Sequence, residues 1–213
     1  MRPIALIIAL ALPLTGLLSA GSLSAQTAAD NPHVGHVTTQ WRDTPDQQGF
    51  LPVAVADAQV AAQHAGFAMR DLTNLDTMKR HAGHVLHAVD PSQIAEGPGS
   101  GYGVKKAAEN AAAHIENAAK VEGTPQGVVT HSVHIAQSAR NTVKRADEIA
   151  KLAQQIHGTT TAEEASLLVE QMNTIAQQLL AGVDANADGR VGWQEGEGGL
   201  DTAQQHVNLM LGT

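Results

Sequence analysis

Residues 161–183 read TAEEASLLVEQMNTIAQQLLAGV. Ala165, Leu168, Met172, Ile175, Ala176, Leu179, Leu180 and Val183 recur at steps of three and four residues, so they line one side of a helix. Thr161 and Glu164 have capping-box spacing and place the start of that helix. The same period continues upstream. Thr124-Pro125 supplies an N-cap and a first-turn proline for a helix reaching about His157, closed by Gly158. Val104, Ala108, Ala111, Ile115 and Ala118 mark an earlier helix, stopped by Gly123. Leu75, Met78, Ala82, Val85, Leu86 and Val89 mark another, ended by Asp90-Pro91. Val53, Val60 and Phe67 repeat at seven, with Ala56 and His64 on their face, and one helix or two are equally compatible with residues 53–89. No segment alternates as a strand does. The expected fold class is all-α, an antiparallel helical bundle.

Composition narrows the chemistry. The 213 residues are 43% hydrophobic, yet hold only two Phe, two Trp and one Tyr, so alanine, valine and leucine must fill the core. Thirteen basic against 21 acidic residues give a charge of −8, which speaks against a nucleic-acid partner because no basic excess is available to neutralise phosphates. Cysteine is absent, which removes disulfides, thiolate metal sites, cysteine nucleophiles and covalent haem attachment. The glycine-rich stretch Glu96–Gly103, EGPGSGYG, lacks the Gly-Lys-Ser/Thr and the preceding strand that a phosphate loop needs, and reads as a flexible connection.

The first residues, MRPIALIIALALPLTGLLSAGSLSAQ, have the layout of a secretory signal: Arg2, an apolar run from Ile4 to Leu18, then small residues allowing cleavage after Ala25. The expectation is a periplasmic or secreted protein without a stable membrane anchor after cleavage. The chain then divides into a signal peptide at 1–25, a flexible polar arm at 26–52, a helical bundle at 53–160 and a C-terminal unit at 161–213.

Within that last unit, Asp184, Asn186, Asp188, Gly189, Arg190 and Glu195 follow the spacing of a calcium loop. Asp184, Asn186 and Asp188 present alternate side-chain oxygens, Gly189 permits a sharp turn, Arg190 offers its carbonyl, and Glu195 closes the ring of oxygens a hard cation wants. Gly192 has no side-chain oxygen, so water fills that position. This stretch, with its incoming helix, resembles the EF-hand. The resemblance implies one bound calcium ion and an EF-hand-like helix-loop-helix attached to the bundle. The chain departs from the family at Gly196, Gly198 and Gly199, where the outgoing helix should begin, and that helix is expected near Leu200 instead.

Eleven histidines are numerous for this length. His81, His84 and His87 in HAGHVLH, and His131 with His134, recur at three-residue spacing, which brings neighbouring imidazoles to one helical face. Neutral imidazole suits copper, zinc or nickel. If the faces of His81–His84–His87 and His131–His134 meet, they form a transition-metal site. The alternatives are solvated histidines, or a non-covalent haem between two axial histidines. His64 falls on a core face and His114 at a stripe edge, while His33 and His36 in the arm carry no assigned role. No catalytic motif stands out. The functional expectation is therefore an exported calcium-binding, non-enzymatic helical protein, with a transition-metal protein or a haem or metal electron carrier as the alternatives.

Overall fold

The computed structural model describes residues 27–213, and the expected signal peptide lies outside them. Seven α-helices run in chain order: α1 Pro32–Thr38, α2 Phe50–Ala68, α3 Leu75–Val89, α4 Val104–Ala118, α5 Gln126–Gly158, α6 Ala162–Ala181 and α7 Leu200–Leu211. Among the described residues the only β pairing is an isolated antiparallel bridge between Gln40 and Gln48. The protein is all-α, a helical bundle.

Alanine sets how closely the helices pack. Ala54, Ala58, Ala61, Ala65 and Ala68 of α2 are fully buried, as are Ala107, Ala108, Ala111 and Ala118 of α4. A face of single methyl groups lets a neighbouring helix approach toward the short end of the usual 8–10 Å range. Larger side chains, Ile135, Ile149, Ile156, Met172 and Leu179, are the fully buried bulk that α5 and α6 bring to the core. With 33 residues, α5 is about 50 Å long and packs against α3, α4, α6 and α7.

Local signals place the breaks. α2 and α3 are separate helices, and Asn74 caps α3 by accepting from the Thr77 amide at 3.0 Å. Thr161 caps α6 by accepting from the Glu164 amide at 3.2 Å. The stretch 96–103, expected to be flexible, is instead clamped. The buried carboxylate of Asp57 accepts from the Ser100 amide at 2.7 Å, the Ser100 hydroxyl at 2.6 Å and the Gly103 amide at 2.9 Å. His87 Nδ1 lies 3.0 Å from the Pro98 carbonyl, and a Cβ on Gly97 would come within 2.5 Å of His87 Cβ, so the close approach needs glycine there.

Of the segment expected as a flexible arm at 26–52, the described part, 27–52, is also packed. Val34 and Val37 of α1 are buried, as are Phe50 and Leu51 at the start of α2. A seven-residue helix is too short to show a periodic stripe, which hid it in the sequence. Its anchor is Asn31. The Asn31 Oδ1 caps α1 by accepting from the His33 amide at 3.0 Å, while its Nδ2 donates to the Ala118 carbonyl at the end of α4 at 2.9 Å. Pro32 stands at the first helical position, where its missing N–H costs nothing.

At the other end, the loop between α6 and α7 lies along α5. The Asn141 side chain donates to the Gln194 carbonyl at 2.7 Å and accepts from the Gly196 amide at 3.0 Å. The buried Arg145 guanidinium donates to the carbonyls of Gly196, Glu197 and Gly198. A Cβ on Gly199 would lie 2.3 Å from the Leu180 carbonyl oxygen, so the chain turns into α7 only by backbone-to-backbone approach. This packing accounts for glycines where an EF-hand would start its outgoing helix.

Replacing Asn31 by alanine removes a helix cap and a buried hydrogen bond together. We expect Asn31→Ala to lower unfolding free energy by about 1–3 kcal/mol in a urea titration. An unchanged midpoint would show that α1 contributes no stability.

Candidate metal centres

Nine of the eleven histidines gather into three groups: His33, His36 and His114; His64, His81 and His84; His131, His134 and His206. Each group joins an i, i+3 pair on one helix to a single histidine on another. The pair on α1 meets His114 of α4, the pair on α3 meets His64 of α2, and the pair on α5 meets His206 of α7. In each group the ligand atoms lie within 4.8 Å of one another, and all three groups are partly buried.

The same ring atom converges throughout. His114 Nδ1 lies 3.2 Å from His33 Nδ1 and 3.1 Å from His36 Nδ1. His64 Nδ1 lies 3.1 Å from both His81 Nδ1 and His84 Nδ1. His206 Nδ1 lies 3.1 Å from His131 Nδ1 and 3.4 Å from His134 Nδ1. Hydrogen bonds satisfy such a group poorly, because each nitrogen carries either one proton or one in-plane lone pair. A metal ion accepts three lone pairs at once. With metal–nitrogen bonds of 2.0–2.1 Å in tetrahedral geometry, the nitrogens stand about 3.3–3.4 Å apart, close to the separations found here.

Electrostatics favours the lone-pair form. Burial, then the neighbouring imidazoles, lowers the pKa of His36, His64 and His114. Burial, then His64 and His84, lowers His81, and burial, then Arg80, lowers His84. Burial and then His131 lower His134. His206 is pushed down to about 4, first by burial and then by His134 and His131. Neutral imidazoles are the ones that ligate metal.

Aromatic rings brace each centre. Trp41 lies edge-on to His36 at 4.7 Å between centroids, and Phe50 packs on His114 at 5.0 Å. Phe67 lies 5.2 Å from His64 and 5.5 Å from His81, with the Arg70 guanidinium 4.3 Å from its ring centroid. Trp193 stacks on His134 at 4.2 Å with 18° between the planes.

The structure divides the histidines expected to act together. His81 and His84 turn to His64 on α2, and His131 and His134 turn to His206 on α7, so the two faces expected to meet do not form one site. His87 belongs to no group, being buried against the Pro98 carbonyl. The sequence by itself points to no metal role for His33, His36, His64, His114 or His206. A pair at three-residue spacing is visible locally, but its third member comes from a helix contact that spacing does not encode.

The acidic loop is less converged. Asp184 accepts from the amides of Asp188 at 3.1 Å and Gly189 at 2.9 Å, Asn186 from Asp188 at 2.9 Å, and Asp188 from Arg190 at 2.9 Å. Gly189 has φ +85°, as the sharp turn requires. Glu195, expected to close the site, reaches out to Lys144 Nζ at 2.5 Å, and that contact holds its carboxyl below the usual range. Asp184, Asp188 and Glu195 do not gather as the histidines do.

In comparison with known proteins, no protein family, curated protein or solved structure matches the chain.

The lowered pKa values have a sign. The unfolded chain takes up protons near the ordinary histidine value of 6.5, whereas the folded chain does so only at lower pH, so folding stability is full above 6.5 and declines as pH falls. We expect the chelator-treated protein to melt several degrees lower at pH 5 than at pH 7.5, and His206→Gln to flatten that dependence. A melting temperature equal at the two values would show that the imidazoles are not held neutral.

Proposed function

We propose that this chain is a transition-metal-binding protein whose three trihistidine centres each take one copper, zinc or nickel ion. The observation that carries this reading is the threefold convergence of Nδ1 atoms at 3.1–3.4 Å. Imidazole nitrogen suits these metals, and cysteine-free centres select against ions that need thiolate. Three nitrogens meeting at one point favour an ion over haem, whose two axial ligands stand on opposite sides of the iron. Three protein ligands leave one coordination position open, which suits binding and handing on of metal.

The protein acts outside the cytoplasm in this proposal, because residues 1–25 carry the pattern of an export signal. No helix among the described residues is long and apolar enough to cross a membrane. A second role, calcium binding by the EF-hand-like loop Asp184–Glu195, is supported by the inward turns of Asp184, Asn186 and Asp188 and the positive φ of Gly189. Calcium would draw Glu195 away from Lys144. That exchange costs little, since solvent screens an exposed ion pair and leaves it weak.

Metal analysis of protein purified without a histidine tag tests the main reading. The expected stoichiometry is three ions of copper, zinc or nickel per chain. His36→Gln, His84→Gln and His134→Gln should each remove one, and His87→Gln none. Metal content unaffected by these changes would reject the centres. For the loop, Glu195→Gln should weaken calcium binding in calorimetry by a factor of ten or more, with the transition-metal count intact. Equal calcium affinity in variant and parent would remove Glu195 from the site.

A further inference from the structure

The three centres share a ligand set but differ in what lies over them. At the third, Trp193 stacks flat on His134. At the first, His36 also lines a cavity. That cavity, of about 310 Å³, is walled by His36, Gln40, Trp41, Arg42 and Gln47. Its size is at the low end for ligand sites and suits a small ion or molecule.

We propose that the first centre, once it holds its metal, binds a small monoanion of carboxylate type as fourth ligand, and that Arg42 is the residue that selects it. This rests on the reading of His33, His36 and His114 as a metal centre. Three neutral imidazoles bring no charge, and no carboxylate joins the group among the described residues, so a divalent ion keeps its full charge of about +2 there. An anion from the cavity offsets that charge. One donor atom binds the metal, and a second meets a guanidinium, whose planar fork matches carboxylate geometry.

Arg42 is free to do this. Its partner Asp43 stands 3.5 Å from Nε in an exposed pair, which holds the side chain only weakly. The amides of Gln40 and Gln47 add donors to the wall.

The wall is also built at a conformational cost. Asp46 and Gln47 both have positive φ, 52° and 53°, in the left-handed region that non-glycine residues seldom adopt. Hydrogen bonds hold them there: the Trp41 amide donates to the carbonyls of Gln47 and Gln48, each at 3.1 Å, and the Thr44 hydroxyl donates to the Trp41 carbonyl at 2.7 Å. Sparsely populated backbone states held in place by surrounding contacts cluster at ligand sites. Here they fix the backbone at Trp41, whose ring lies beside His36 and whose neighbour in the chain is Arg42.

The experiment isolates each centre. His84→Gln with His134→Gln leaves the first, His36→Gln with His134→Gln the second, and His36→Gln with His84→Gln the third. Each protein is loaded with copper(II), its copper content and circular dichroism are measured, and azide is titrated while the azide-to-copper charge-transfer band is followed. The first-centre protein should bind azide at least tenfold more tightly than the other two, and acetate should compete. Arg42→Gln in that protein should weaken azide about tenfold at unchanged copper content, and Arg42→Lys should restore part of the loss. Equal azide affinity at the three centres, or indifference to Arg42→Gln, would overturn the proposal while leaving the metal centres standing. A folded first-centre protein that takes no copper would reject the centre itself, and the anion site with it.

Discussion

The distance between helix axes governs everything that happens at the histidines. An imidazole reaches only a few ångströms from its backbone, so a ring on one helix meets two rings on the next only if the helices are close. Alanine provides that closeness. α2 packs on α3 and α1 on α4, and α2, α3 and α4 bury many alanines, among them Ala58, Ala65, Ala82, Ala111 and Ala118. Leucine or phenylalanine at these points would push the axes apart and separate the Nδ1 atoms. The low aromatic content and the histidine groups are therefore two sides of one design: the rare large rings, Trp41, Phe50, Phe67 and Trp193, are placed beside the imidazoles.

The same local solution occurs on three different helix pairs with three different supports. Asn31 ties the first pair of histidines to the end of α4. The short α2–α3 connection, capped by Asn74, keeps the second group together. The third depends on a longer construction, in which Asn141 and Arg145 hold the loop before α7 against α5 and so bring His206 to His131 and His134. Polar contacts here position the histidines, while the apolar core supplies the bulk of stability. The buried Arg145 fits that division: it satisfies three carbonyls and gives the loop one fixed path.

Helix existence was legible in the residues because it depends on local period. The amphipathic pattern of 161–183, the cap at Thr161 and the stop at Asp90-Pro91 all have their expected structural counterparts. The spacing of His81 with His84, and of His131 with His134, was equally local. Their partners were not, because His64, His114 and His206 lie 17 or more residues away and are selected by tertiary packing. Direction is no guide either. His84 lies opposite the stripe marked by Ala82, a side that suggests water; but α3 is covered on more than one side, by α2 as well as α5. The segment before residue 50 hid its packing for a different reason: two valines on a seven-residue helix bury completely without making a pattern long enough to read.

The chain positions of the three groups have a topological meaning. The first spans residues 33–114 and encloses the second, which spans 64–84, while the third spans 131–206. No group joins residues before 118 to residues after 126. A coordinated ion at each would act as a cross-link in a protein that has no disulfide, removing loop-closure freedom from the unfolded chain within each half but not between them. Loading would thus strengthen α1–α4 and α5–α7 as separate units while leaving their shared interface unchanged. The ions would then reinforce each side of a seam, where α5 meets α3 and α4, without reinforcing the seam itself, in a core that is otherwise continuous.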